Sequence, residues 1–270
     1  MSTWVSTKRA TELLGVGATT VKRWADDGLL PFYRTAGGHR RFELSTVRQL
    51  AASGQDQDMG SRFTESEVRQ WFGALLEGNH QQLRARLREL ASNQTDWFGA
   101  AECLSAVSRY AGRRWADQEC STLECGLATS RLMQIVCAEA TAMDARPGAP
   151  PCMVASVAGD RHNVGPMLAE LCLRSRGFNA YLLYDELAAE HLVSYLPGSG
   201  LDLLVLSASA WQSDALSLER YYRDIAAICQ REGVRIVLGG DGAWPSELEY
   251  GYRCRTFTDL RAAIDSMDAR

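Results

Sequence analysis

The sequence predicts a multidomain chain: an all-α winged helix-turn-helix module, a four-helix bundle, and an α/β doubly wound parallel sheet. Three observations predict it. Residues 1–50 place two short helical runs around Gly15-Val16, followed by a basic segment on Gly37-Gly38. Residues 63–144 carry apolar residues at helical spacing with no strand pattern. Beyond Cys152, strand-like runs alternate with helical ones, which is the signature of a parallel sheet with crossover helices. The resulting units are 1–52, a linker 53–62, 63–145, a second linker 146–151, and 152–270.

Bulk properties narrow the function. The chain has 270 residues and 46% hydrophobic residues, enough for several real cores. No apolar run is long enough to span a bilayer and no signal-peptide pattern opens the chain, so a cytoplasmic protein with no membrane partner is expected. The eight cysteines form no C-x-x-C pair or zinc spacing and are expected to be mostly reduced, buried small residues. Net charge is −4, yet residues 1–50 hold eight Lys/Arg against four Asp/Glu, a balance of +4, which leaves −8 for the rest. A basic module on an acidic body points to a polyanion partner for that module alone.

Within the module, Ala10–Leu14 and Thr19–Asp26 read as the two helices of a helix-turn-helix. Thr19, Thr20, Lys22 and Arg23 on the second helix can meet bases and phosphates of double-stranded DNA. His39, Arg40 and Arg41 project from a hairpin turned by Gly37-Gly38 and supply charge to phosphates. "AASGQDQDMGS" (51–61) is polar and aperiodic, a linker composition. Four helices follow. The first opens on the capping box Thr64/Glu67, the second carries Leu83, Leu87 and Leu90, the third starts at Asp96, and the fourth opens on a second capping box, Ser121/Glu124. "ARPGAPP" (145–151) cannot continue a helix. Strands are expected at Cys152–Val157, Ala180–Tyr184, Leu203–Ser207 and Arg235–Leu238, with a last helix over Thr258–Met267.

The first of these strands ends in Gly159-Asp160-Arg161-His162, at the edge where such folds bind ligands. Imidazole is a good ligand for cobalt, and a carboxylate behind it fixes its tautomer. Gly165 permits close backbone approach. Ser207 can hydrogen-bond a nucleotide tail between strands, and Gly239-Gly240 leave room for one.

Several resemblances gather here. "TAGGHRRF" and its preceding helices resemble the MerR family of winged helix-turn-helix regulators over residues 4 to 50. Asp160-x-His162-x-x-Gly165 resembles the D-x-H-x-x-G signature of cobalamin-binding domains, with Ser207-Ala208-Ser209 and Gly239-Gly240 resembling that family's serine and G-G elements. That implies a flavodoxin-like cobalamin-binding fold in which His162 ligates cobalt in place of the cofactor's own base. The order of the three units is similar to CarH-type photoreceptors. That likeness implies a light-responsive, oligomeric transcriptional regulator holding adenosylcobalamin between cap and α/β domain. An enzymic role is not expected, because residues 1–150 offer no substrate-activating partner for a methyl carrier or mutase subunit.

One motif departs from the pattern. The cap of that family carries W-x9-E-H, whose tryptophan covers the adenosyl group and whose histidine takes the upper cobalt position after photolysis. Trp115 is present, but Cys125-Gly126 stands where Glu-His is expected. Three alternatives follow: a cobalamin with Cys125 or water above it, a bilin attached by a thioether to Cys125, or Cys125 as a small core residue. Trp115 is correspondingly either a chromophore contact or core.

Overall fold

The computed structural model describes residues 4–14, 21, 22, 24, 25, 30–35, 37–48 and 63–268. Thr19, Thr20, Arg23, the Gly15-Val16 turn and the 51–61 linker lie outside them. In the N-terminal unit, β1 (Trp4–Ser6) leads into α1 (Thr7–Leu14), and residues 21, 22, 24 and 25 are helical. β2 (Phe32–Arg34) and β3 (Arg40–Glu43) form an antiparallel hairpin, and β1 pairs with the other edge of β3. The expectation of an all-α module is therefore corrected. β1 and β2 are only three residues each, too short for the alternation that marks a strand in sequence. The hairpin turn needs Gly38, which sits at φ +78° while its N–H donates to the Thr35 carbonyl.

Four helices follow: α2 (Glu65–Glu77), α3 (His80–Asn93), α4 (Trp97–Ala116) and α5 (Thr122–Thr141). Each start has a local cause. Thr64/Glu67 and Ser121/Glu124 form complete capping boxes, and Asp96 accepts from the Gly99 N–H. Asn79/Gln82 makes a third box that the sequence reading did not single out.

The C-terminal domain is a five-stranded parallel sheet in the order β5-β4-β6-β7-β8, comprising β4 (Pro151–Val157), β5 (Asn179–Leu187), β6 (Leu203–Ser207), β7 (Arg235–Gly239) and β8 (Tyr252–Cys254). The helices α6 (Val164–Ser175), α7 (Ala189–Tyr195) and α8 (Ala215–Glu232) follow β4, β5 and β6, and α9 (Phe257–Asp268) follows β8, which is joined to β7 without a helix. β8 was not anticipated, again because it is three residues long. Pro151, expected in the linker, is the first residue of β4, a position where a proline costs no ladder bond. This order is that of a flavodoxin-like doubly wound sheet, whose switch point lies between the first and third strands, here β4 and β6.

The helical unit is not a separate body. Ile135 and Val136 on α5 and Leu104 and Val107 on α4 share one buried cluster with Leu168, Leu171 and Leu173 on α6 and Ile264 on α9. An ion pair crosses the same boundary, Arg261 to Asp96 at 2.5 Å. Glu139, buried on α5, accepts from both Arg84 and Arg88 of α3 and so fixes those two helices to each other. The other face of the sheet packs on α7 and α8 through Leu192, Tyr222 and Ile225.

Because the core is shared, Ile135→Ala should destabilise helices and sheet together, by about 2–5 kcal/mol for a buried large-to-small change. Urea unfolding followed by far-UV circular dichroism and by tryptophan fluorescence should give one common midpoint, shifted down in the variant. Two separated transitions would show that the helical unit and the sheet unfold independently.

Candidate functional site

The switch point is built around one carboxylate. β4 ends at Val157, and Gly159 at φ +82° turns the chain so that Asp160 folds back into the domain, where it is 2% exposed. Its Oδ1 accepts from the His162 N–H at 3.0 Å and from the Ser209 hydroxyl at 3.0 Å, and lies 2.9 Å from His162 Nδ1. Its Oδ2 accepts from the Ser209 N–H. Burial pushes the Asp160 pKa up, but the hydrogen bonds from His162 and Ser209 outweigh it and hold the carboxyl below the usual aspartate value. Opposite an ionised carboxylate, Nδ1 of neutral His162 carries the proton, which leaves the Nε2 lone pair as the free donor.

The imidazole itself is open, with its side chain 56% exposed. Trp211 stacks on it, ring centroids 6.0 Å apart at 28°. Sequence reasoning missed Trp211, and its position two residues beyond Ser209 was the one available signal. Asn163 steadies the loop from below: its Oδ1 accepts from the buried Ser156 hydroxyl at 3.2 Å and its Nδ2 donates to the Tyr184 carbonyl at 3.4 Å.

Beside the histidine, three strand ends converge on the Ser207 hydroxyl. A Cβ on Gly165 would stand 3.5 Å from it, and one on Gly240 would stand 3.3 Å from it. Ser207 is buried, and among the described residues no side chain hydrogen-bonds its hydroxyl. Gly239 is open, its nearest neighbour to an added Cβ being a carbonyl at 3.7 Å. Gly240 is fixed by geometry: it has φ +82° and a Cβ there would meet the Ala208 carbonyl at 2.3 Å. The Gly240 carbonyl accepts from Arg253 at 2.6 Å, and Trp244 Nε1 donates to the Gly239 carbonyl at 2.9 Å. Asp160, His162, Gly165, Ser207, Ser209, Gly239 and Gly240 are thus brought together at one sheet edge.

The cap residues fall elsewhere. Trp115 closes α4 and donates through Nε1 to the Thr122 hydroxyl at 3.1 Å, so it braces the α4–α5 turn. Of the three alternatives for Cys125, the two that need its thiol meet a sulfur that is already bonded. Cys125 is disulfide-bonded to Cys120, with Cα atoms 6.4 Å apart, and its sulfur lies 3.5 Å from the Ala111 carbonyl of α4. The expectation of mostly reduced cysteines is corrected for this pair. Cys120 lies in the turn after α4 and Cys125 in the first turn of α5, which brings their side chains within bonding reach. Gly126 has nothing within 4 Å of an added Cβ, and Leu123 and Leu127 beside it are exposed.

On the N-terminal unit, Lys8, Lys22, Arg34, His39, Arg40 and Arg41 line one hollow beside the start of α1. Arg40 has a bracing part in it: its Nη1 donates to the Lys22 carbonyl at 2.6 Å and its guanidinium lies 4.6 Å from the centroid of Phe32. It therefore ties the hairpin to the second helix.

Comparisons with known proteins agree with this division. A helix-turn-helix domain model matches residues 4–55, so the chain carries a helix-turn-helix DNA-binding domain. Residues beyond it resemble the structure of the Methanosarcina barkeri monomethylamine corrinoid protein, with 18% identity and TM-score 0.54, over 77% of this chain and 100% of that one. A cobalamin-binding protein from Desulfitobacterium hafniense DCB-2 aligns at 13% identity and TM-score 0.35, over 74% and 97% of the two chains. The methanol:cobalamin methyltransferase complex of Methanosarcina barkeri aligns at 14% and 0.39, over 82% and 84%. No curated protein matches the sequence. The first of these structures establishes the fold, a helical domain on a flavodoxin-like parallel sheet.

The Asp160 network has a pH signature. A carboxyl held below its unfolded value contributes stability that is complete above the unfolded pKa and is lost as pH falls through the folded one. The gap in urea stability between the parent and Asp160→Asn should be widest near neutrality and narrow below about pH 4. A gap that stays constant down to pH 2.5 would mean that the charge of Asp160 does not stabilise the fold.

Proposed function

We propose that the chain is a DNA-binding transcriptional regulator of the MerR winged type whose α/β domain binds a cobalamin-type corrinoid, with His162 as its lower cobalt ligand. The observation that carries this reading is the Asp160–His162–Ser209 network, which commits Nδ1 of an imidazole that stands open at the switch point. Among the described residues no three His, Cys, Asp or Glu side chains gather to hold a bare metal ion. A single imidazole suits an ion that arrives already bound by a macrocycle. Gly165, Ser207, Gly239 and Gly240 would hold the displaced nucleotide tail, with the unused Ser207 hydroxyl as its hydrogen-bonding partner.

When bound, the corrinoid supplies a cobalt–carbon bond that light or a group acceptor breaks. The chain's own part is to fix the imidazole through Asp160 and to cover one ring face with Trp211. Gly126 and the exposed Leu123 and Leu127 stand at the start of α5, where the family it resembles carries an imidazole. Light-responsiveness is therefore proposed from domain order, with an upper face that differs from the family it resembles. No group in the described residues turns over a substrate on this reading. The protein acts as a homodimer or larger homo-oligomer on a two-fold DNA site, and no helix among the described residues is long and apolar enough to cross a membrane. The methyl-carrier reading is favoured by one observation, the likeness to a corrinoid protein over all of that protein's length. The DNA-binding domain has no place in it.

Titration with hydroxocobalamin, followed by visible absorption, tests the ligand assignment. His162→Ala should weaken binding and alter the spectrum of what remains bound. Asp160→Asn should weaken binding by roughly 10–100-fold through the imidazole. Parent-like spectra and affinity in both variants would remove His162 as the ligand. For DNA, Arg41→Ala should lower the log–log salt slope of duplex binding by about 0.9, the share of one phosphate. An unchanged slope would place Arg41 off the backbone.

A further inference from the structure

We propose that Cys120 and Cys125 form a reversible dithiol–disulfide site that takes small two-electron oxidants and, when closed, clamps the α4–α5 turn beside the point where the helical unit packs on the DNA reader. Three observations converge on that turn. Cys120, within it, is bonded to Cys125 in the first turn of α5, so the bond ties the end of the turn to the helix that follows. Gln118 within it sits at φ +63°, a left-handed conformation that non-glycine residues rarely adopt. Ala116, at its entrance, is buried in the same hydrophobic cluster as Ala10, Val21, Trp24, Leu30 and Phe42 of the N-terminal unit. The disulfide thus begins four residues from the point where the helical unit enters the reader's core.

A chain that reads DNA works where thiols are kept reduced, so a bond here is made and broken rather than permanent. The two cysteines differ in access. Cys120 is 7% exposed, while Cys125, in the first turn of α5, is half-buried and the more accessible of the two. Cys125 is therefore the attacking sulfur and Cys120 the resolving one. With a peroxide, the Cys125 thiolate attacks one oxygen and the O–O bond breaks. This gives a sulfenic acid and hydroxide, which takes up a proton to leave as water. Cys120 then attacks the sulfenic sulfur; its proton leaves with the displaced hydroxide as a second water, and the S–S bond forms. The thiols lose two electrons and the peroxide gains them. With a low-molecular-weight disulfide, exchange gives the same bond and two free thiols. The other six cysteines are unpaired, and five of them are buried. This site does not depend on what the α/β domain binds. While the bond stands, though, Cys125 has no thiol to offer a chromophore.

The test uses the full chain, with no corrinoid added, either reduced with dithiothreitol or equilibrated with glutathione disulfide. Each sample is denatured in N-ethylmaleimide and weighed intact. The oxidised sample should carry two fewer adducts, peptide mapping should place the link at 120–125, and dithiothreitol should restore both. Amide exchange should slow on oxidation in residues 116–126 and in α1, and Cys120→Ser should abolish both effects. Equal adduct numbers, or a two-adduct loss that persists in Cys120→Ser, would overturn the site. A link that forms and leaves exchange in α1 unchanged would overturn the clamp. Retained hydroxocobalamin binding in Cys120→Ser would keep either failure separate from that of the corrinoid reading.

Discussion

The buried carboxylate of Asp160 is the constraint on which the sheet edge depends. It lies at the end of β4, yet two of its hydrogen bonds come from Ser209, beyond the end of β6. One side chain therefore joins the two strands that flank the switch point and sets the imidazole between them. The arrangement is stable only while the carboxylate is ionised and fully bonded, since an unpaired buried charge is costly. Four contacts from two residues meet that need and leave a single unused donor, Nε2. The conformation of the loop and the orientation of the ring both follow from this one group.

The glycine and serine positions act as the complement of that network. Gly240 has no conformational alternative, because its backbone is left-handed and a Cβ would collide with the Ala208 carbonyl. Gly165 and Gly239 are different: a side chain there would meet little protein. What they leave is space beside the Ser207 hydroxyl, on which the proposed ligand slot rests. Above it the helical unit is held by the common core of α4, α5 and α6, so any movement of that unit that follows ligand binding must repack this core or tilt the helices as one body.

Much of this was legible from sequence because its causes are local. Capping boxes at Thr64 and Ser121 name helix starts within four residues, and apolar runs such as Leu203–Ser207 announce buried parallel strands. The Asp160/His162 pair stood out because both residues fall in one loop. What stayed hidden depends on contacts far apart in the chain or on elements too short to show a period. β1 and β8 are three residues long, and the stacking of Trp211 on His162 joins residues 49 apart. The Cys120–Cys125 bond escaped for another reason. Five residues is no recognised spacing, and only the turn after α4 brings the sulfurs together. That same bond changes the meaning of the one cap motif that departs from its family, since it turns Cys125 toward α4 and away from the open face beside Gly126.

The central claim is that Nε2 of His162 is the protein's donor to cobalt. The most direct measurement is electron paramagnetic resonance of the full chain loaded with cob(II)alamin, using protein grown with natural and with 15N-labelled histidine. The account predicts axial splitting from one nitrogen that changes from a triplet to a doublet on labelling and disappears in His162→Ala. Splitting that ignores the label would show that the cofactor keeps its own base, and would contradict the assignment of His162.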